Sequence, residues 1–372
     1  MKKLLYLSFA LLLATACQNT SEKATKHVVL TGIDFSKKPG DDFFTYANGI
    51  WYDTVQIPAS QAGVGSYSFL NYPQRIRLQG ILDSLSESNN PAGSMEAKVA
   101  DFYASGMDTT TINNRGYEPL KPVFARIDAV ADVPSLIEVV AEAFKVGDAS
   151  FIGFYVGPDD KQSTVNIAQF YQTGIGLPER AYYFKTDSST LAIQNAYKHY
   201  LATLFELAGS EETAAKKNAN LTYEIEKQLA TAHRTNIELR DVKANYNKLA
   251  VSDLSKKHPN LGWTNLLNNL GLQVDSVNVG QPAYYDKLNA LLQSVSINDW
   301  KVYLKAHALS TYANWLSQPF VDASFAYTKM LTGQAVKKTR AEEMTQAVDQ
   351  SLGHALAQLY VKKYFPQEAK KR

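Results

Sequence analysis

Apolar positions recur at helical spacing along most of the chain. Residues 67–86 carry Tyr67, Ile76, Leu78, Ile81, Leu82 and Leu85 on an otherwise polar background, which predicts a helix with Pro73 in its first turn. Further helices are predicted over 95–106, 134–146, 190–208, 211–234, 246–257, 263–270, 284–294, 300–317 and 341–364. The last places Met344, Val348, Leu352, Leu356 and Leu359 along one stripe, and Ser296 with Asp299 forms a capping pair before Trp300. One region breaks the pattern. SFIGFYVG (150–157) and STVNIAQF (163–170) are β-branched and aromatic and flank Gly-Pro-Asp-Asp, which predicts a β-hairpin. A dense aromatic stretch lies at 33–58. Behind Pro39-Gly40, Asp41 and Asp42 are suited to cap a short helix with Phe43, Tyr46 and Ala47 on one face. Gly49 is placed to end it, Trp51 follows as an apolar anchor, and Ile57-Pro58 closes the unit. Aromatic stripes of this kind usually dock a segment onto a core.

The N-terminus has a different character. Lys2 and Lys3 precede a thirteen-residue apolar run (4–16), too short to span a bilayer, and small residues lead to Cys17. Leu-Ala-Thr-Ala-Cys17 resembles a bacterial lipobox. That implies an export signal over 1–17, lipidation at Cys17, a lipid-anchored place in the bacterial cell envelope, and a polar tether over 18–31. Otherwise the segment is a plain cleaved signal. Cys17 is the single cysteine, so neither an intrachain disulfide nor a cysteine metal cluster is available.

Composition narrows the class. Of 372 residues, 45% are hydrophobic and 20% charged, ample for a globular core. The net charge is +2 with no basic cluster beyond short Lys pairs, which excludes nucleic acid as a main partner.

Several segments together resemble the neprilysin-like zinc metallopeptidases. Asp41-Asp-Phe-Phe-Thr-Tyr-Ala-Asn-Gly-Ile-Trp51 followed by Ile57-Pro58 is similar to that family's opening. Val156-Gly-Pro-Asp-Asp-Lys161 resembles its strand and turn. Gln169 to Tyr183 is similar to its Gln-x-Gly-Leu-Gly-Leu-Pro-x-Arg-x-Tyr-Tyr, with two extra residues after the Gln and Ile175 for the first Leu. Glu224 to Ala230 with Tyr246-Asn-Lys-Leu249, and then Leu352-Gly-His-Ala-Leu-Ala-Gln-Leu-Tyr-Val361 with Phe365, follow in the family's order. The resemblance implies a mainly α fold, the multi-helix cap domain of such a peptidase over 32–372, with one small β-hairpin at about 150–170.

Family members cleave oligopeptides with one zinc ion, held by His-Glu-x-x-His on a helix and a later Glu. His at i and i+4 share a helix face, and the Glu between them activates the metal-bound water. None of His27, His199, His233, His258, His307 and His354 is followed by Glu or has a His four residues on. The family's Asn-Ala-x-Tyr substrate element is missing too. The expectation is therefore an N-terminal half whose thermolysin-like catalytic half is absent, a chain cut short that is inactive alone. Its catalytic and metal residues are none, no zinc is bound to it, and its partners are that missing half and, in the intact enzyme, peptide substrates. By the resemblance Tyr67 is the one candidate for the substrate pocket; otherwise it packs in the core. The two arginines that hold a peptide carboxylate in some members fall at Gly63 and Asn71, so that clamp is absent, and Arg75 and Arg77 have a different spacing. Glu226 and His233, seven apart, can share a helix face; such a pair is usually a surface contact. His354 is expected at the rim of the last stripe, and Gly174-Ile-Gly176 reads as a turn. Two other functions fit the composition: a non-catalytic lipoprotein that binds peptides or a partner subunit, and a glycan-binding surface lipoprotein using some of the 22 tyrosines and 4 tryptophans.

Overall fold

A computed structural model of the chain describes residues 32–148, 150–365 and 368. Residues 1–31, where an export segment, lipidation at Cys17 and a tether are expected, lie outside these. The chain divides at Pro58 into two compact units.

The first unit contains α1 (Phe43–Thr54). Asp42 caps it, its carboxylate accepting the Thr45 N–H at 3.0 Å. Gly49 does not end this helix. It is the buried residue of its interior, because a Cβ there would meet the Asp34 side chain at 2.9 Å. Trp51 consequently lies on the helix rather than after it. Phe43 and Phe44 are exposed, whereas Tyr46 and Trp51 are half-buried.

The second unit is helical around one sheet. Its helices are α2 (Ser66–Ser86), α3 (Met95–Met107), α4 (Thr109–Arg115), α5 (Lys121–Asp128), α6 (Val133–Lys145), α7 (Ser188–Leu207), α8 (Glu212–Ala230), α9 (Val251–Lys257), α10 (Trp263–Asn269), α11 (Pro282–Ser294), α12 (Ile297–Tyr312), α13 (Gln318–Thr332) and α14 (Arg340–Tyr364). The hairpin forms as β1 (Gly153–Asp159) and β2 (Gln162–Tyr171), antiparallel with Phe154 opposite Phe170. Two strands that the periodicity did not mark, β3 (Lys248–Ala250) and β4 (Ser276–Val279), extend it to the order β1-β2-β4-β3. β2 and β4 pair in parallel, with Gln169 opposite Asn278.

Capping fixes most helix starts. Asp132 and Ser135 form a reciprocal box at α6, which buries Leu136, Ile137, Val140 and Ala141. Asp187 accepts the Thr190 N–H at α7, and Ser296 accepts the Asp299 N–H at α12.

Several boundaries differ from the periodic reading. Pro73 is inside α2, not in its first turn, so it removes one donor from the helical ladder. Residues 246–257 are not one helix, because Lys248–Ala250 pairs with β4 before α9 begins. Residues 300–317 end as a helix at Tyr312, and α13 follows without a forecast. α8 stops at Ala230, short of His233. In α14 the helix kinks at Leu352 (φ −124°, ψ 26°), which leaves Leu352 half-buried while Met344, Val348, Leu356 and Leu359 are buried.

Three buried clusters form this unit. The first joins the sheet to α6, α10, α11 and α12 around Phe170, Trp263, Tyr285 and Trp300. The second packs α7, α8, α12 and α13 around Tyr183, Tyr197 and Phe205. The third closes α2 and α3 on α14. No helix among the described residues is long and apolar enough to cross a membrane.

Candidate functional site

The best-marked polar chemistry in the interior lies around the segment Gln169 to Tyr183, where β2 leaves the sheet and turns toward α7. Glu226 is central to it. This residue is on α8 between Thr222 and Leu229, on the buried face, and is fully buried. Its Oε2 accepts the Tyr183 hydroxyl at 2.8 Å and its Oε1 accepts the Tyr197 hydroxyl at 2.7 Å. His307 Nε2 of α12 lies 2.9 Å from Oε1, at ion-pair distance, with its ring centroid 4.2 Å from that of Tyr303 and the two rings tilted by 37°. Burial, reinforced by Glu226, pushes both tyrosine hydroxyls well above their ordinary range, so they stay protonated and act as fixed donors.

Tyr183 also reads the turn before it. Its hydroxyl oxygen accepts the N–H groups of Gly176 (3.1 Å) and Leu177 (3.0 Å). The two glycines do more than mark a turn. Gly174 has φ +86° against the Phe151 backbone, and its carbonyl accepts the Tyr303 hydroxyl at 2.9 Å. A Cβ on Gly176 would collide with the Tyr197 hydroxyl.

A second network closes the end of the sheet. Asn278 Nδ2 donates to Gln169 Oε1, its register partner, and its Oδ1 accepts the Asn247 N–H. Gln281 Oε1 accepts the Gln172 N–H (2.8 Å), and its Nε2 donates to Asn245 Oδ1 (2.7 Å). Gln172 and the Arg234 backbone exchange two hydrogen bonds, and Arg234 Nη1 donates to Ala244 O and Asn245 Oδ1. At the hairpin turn, the buried Asp159 accepts from the Lys161 N–H, Lys248 Nζ and the Tyr246 hydroxyl. The Lys161 N–H bond, then Lys248, hold its carboxylate down to about 2. In this second network backbone and side-chain groups pair with one another, which fixes the loops around the end of the sheet.

Glu226 and His233 do not form a site. His233 lies past the end of α8, and its Nε2 donates to the Thr173 carbonyl at 3.1 Å. Burial pushes His233 down to about 4, with Arg180 adding to the effect. The unfolded chain takes up that proton near 6.5, so stability is complete above pH 6.5 and is lost as pH falls toward 4. The loss should total about 3 kcal/mol. Asp159 acts in a separate window: its contribution holds above its ordinary value of 3.8 and is lost as pH falls to about 2. Denaturation curves between pH 7 and 4 check this. His233→Gln, which keeps a donor for Thr173, should flatten the fall, and a flat curve for the unsubstituted chain contradicts it.

The candidate zinc ligands do not converge. His199 and His354 are exposed, His258 Nε2 is 2.6 Å from Asp286, and His307 faces Glu226; His27 lies outside the described residues. Among the described residues no three His, Cys, Asp or Glu side chains could hold a metal ion. The described residues therefore offer no ligand set that fits zinc.

Tyr67 is 79% exposed near the start of α2 and does not pack in the core. Leu70, Tyr72 and Ile76 of the same helix are also exposed. Arg77 is engaged elsewhere, donating to the Tyr360 hydroxyl and lying 5.5 Å over the Tyr364 ring. Sequence reasoning missed Tyr197, His307, Arg234, Asn278 and Gln281. In the sequence Glu226 stands out only beside His233 and reads as a surface contact, whereas it is fully buried under two tyrosine hydroxyls.

These segments recur in known proteins. Residues 39–372 match the N-terminal model of peptidase family M13. Mouse membrane metallo-endopeptidase-like 1 is 24% identical over 369 residues, covering 92% of this chain and 48% of its own length. Human endothelin-converting enzyme 1 is 25% identical over 364 residues, covering 92% and 46%. In structure, the Mycobacterium tuberculosis zinc metalloprotease Zmp1 in complex with an inhibitor superposes with a TM-score of 0.84 at 29% identity, covering 92% of this chain and 53% of that one. PepO of Lactobacillus rhamnosis shares the fold at 20% identity with a TM-score of 0.75. The chain spans about half the length of the curated relatives it matches. On the match across 39–372 and the helical fold that carries it, this chain belongs to peptidase family M13 and corresponds to the N-terminal part of its neprilysin-like zinc metallopeptidases.

Proposed function

We propose that the chain is the non-catalytic N-terminal half of a lipid-anchored zinc endopeptidase acting on oligopeptides. Proteolysis would then depend on a catalytic half supplying His-Glu-x-x-His, and this half would restrict access to the cleft. The observation that carries the reading is the family match over 39–372 in a chain whose sequence contains no His-Glu-x-x-His. The exposed apolar residues Tyr67, Leu70, Tyr72 and Ile76 of α2 support it, since exposed apolar side chains of this kind suit contact with another polypeptide or a peptide substrate. Tyr67 is the proposed contribution to the pocket wall.

Two measurements test the catalytic division. The nucleotide sequence after the Arg372 codon should contain a continuing or adjacent frame with His-Glu-x-x-His; a long stretch without one removes the proposed partner. Elemental analysis of the purified full chain after dialysis should find less than one tightly held zinc per chain. A stoichiometric zinc, or zinc-dependent cleavage of a fluorogenic oligopeptide by the chain alone, overturns the reading. The anchor is assigned to Cys17, in the bacterial cell envelope. Cys17→Ala should shift the full chain out of the membrane fraction on cell fractionation, and an unchanged distribution contradicts lipidation there.

A further inference from the structure

A cavity of about 330 Å³ lies between α5 and α6, and none of the Glu226 network's residues lines it. Val123, Ile127, Val139, Val140 and Leu304 give it an apolar wall. Two buried polar groups interrupt that wall, both from the short link between α6 and β1. Asp148 is 6% exposed and Ser150 is 3% exposed. The Ser150 Oγ has no hydrogen-bond partner. A buried hydroxyl left unpaired costs about 1–3 kcal/mol, so such a group calls for an explanation. Asp148 is bonded by Thr311 and feels the His307 ring, yet burial still raises its carboxyl above the usual range, a sign that it lacks a full counter-charge.

The charge balance of the wall has one sign. Asp148, Glu138 and Glu142 stand against the single guanidinium of Arg126. Lys145 offsets Glu142 at 2.6 Å, but both are exposed and screened, whereas Asp148 is not. The cavity thus combines a hydrocarbon-lined body with a buried acidic residue and an unused hydroxyl acceptor. An ammonium group brings three donors and a positive charge, which suits both.

We propose that this cavity binds a small organic ammonium ion with an apolar body, its cationic head at Asp148 and Ser150 and its hydrocarbon along Val123, Ile127 and Val139. Nothing in this assignment depends on the peptidase reading. The volume is at the small end of ligand pockets and suits an aralkyl or short alkyl amine.

Calorimetric titration of the full chain at pH 7 with 2-phenylethylammonium, 2-phenylethanol and 3-phenylpropanoate separates charge from shape. The amine should bind at least about tenfold more tightly than the alcohol, and the carboxylate should not bind. Asp148→Asn should weaken the amine by about tenfold or more and leave the alcohol unchanged. Ala143→Phe, which fills the cavity wall, should abolish binding of both. Thermal melts of each variant report whether it folds. If Asp148→Asn does not fold, Ser150→Ala and Ala143→Phe decide: loss of amine affinity in both supports the site. The proposal is overturned if the amine fails to bind at about 10 mM, or if amine and alcohol bind alike. It is equally overturned if a folded Asp148→Asn or Ala143→Phe variant binds the amine as tightly as the unsubstituted chain.

Discussion

Glu226→Ala should destabilise the second unit by about 3–5 kcal/mol, measured as a shift in the denaturant midpoint of the full chain. The substitution leaves the hydroxyls of Tyr183 and Tyr197 without their acceptor in a site with no water access, and takes away the group that His307 faces. Each orphaned donor costs about 1–3 kcal/mol. The effect spreads to the turn, because Tyr183 holds the Gly176 and Leu177 N–H groups only while its own hydroxyl is aimed. Glu226→Gln keeps one carbonyl acceptor and should lie between the two. A double-substitution cycle with Tyr183→Phe should give a coupling above about 1 kcal/mol. A loss under about 1 kcal/mol for Glu226→Ala would show that the network is not what holds the turn.

Trp263→Ala should cost a comparable amount, about 3–5 kcal/mol, by a different route. The indole is fully buried, with Phe170 at 5.1 Å and Tyr285 at 5.4 Å, so its removal opens a cavity between α10, the sheet and α11. Trp263→Phe provides the contrast. The indole N–H is buried without a partner, so the smaller ring removes an unpaired donor along with the lost contacts. Its cost should therefore fall well below that of alanine. Equal losses for the two variants, read from the same denaturation curves, would mean that the cavity does not govern the effect.

The parts of this structure that were legible in the sequence are those governed by near neighbours. Asp42 and Ser296 cap helices because the groups they bond are three residues away. The hairpin was legible because β1 and β2 adjoin. β4 was not, because Ser276–Val279 is too short for periodicity and owes its existence to β2. Gly49 reads as a helix end by propensity, but the close approach of Asp34 makes glycine the residue that fits inside. The family motif at 169–183 was visible as a string of residues. Its reason was not, since Gly176, Tyr183, Tyr197 and Glu226 meet only when α7 and α8 pack. The same holds for Asp148 and Ser150, whose shared cavity depends on α5, more than twenty residues earlier.

The parallel pairing of β2 with β4 has a kinetic consequence. Gln169 meets Asn278 at a sequence separation of 109, and closing a loop of that length consumes entropy before any contact repays it. α7 and α8 lie inside the loop, contact each other locally, and can assemble first. The sheet closes late. Until β4 arrives, the inner edge of β2 is an open template for any extended strand, so the interval before closure is when this chain is most exposed to aggregation.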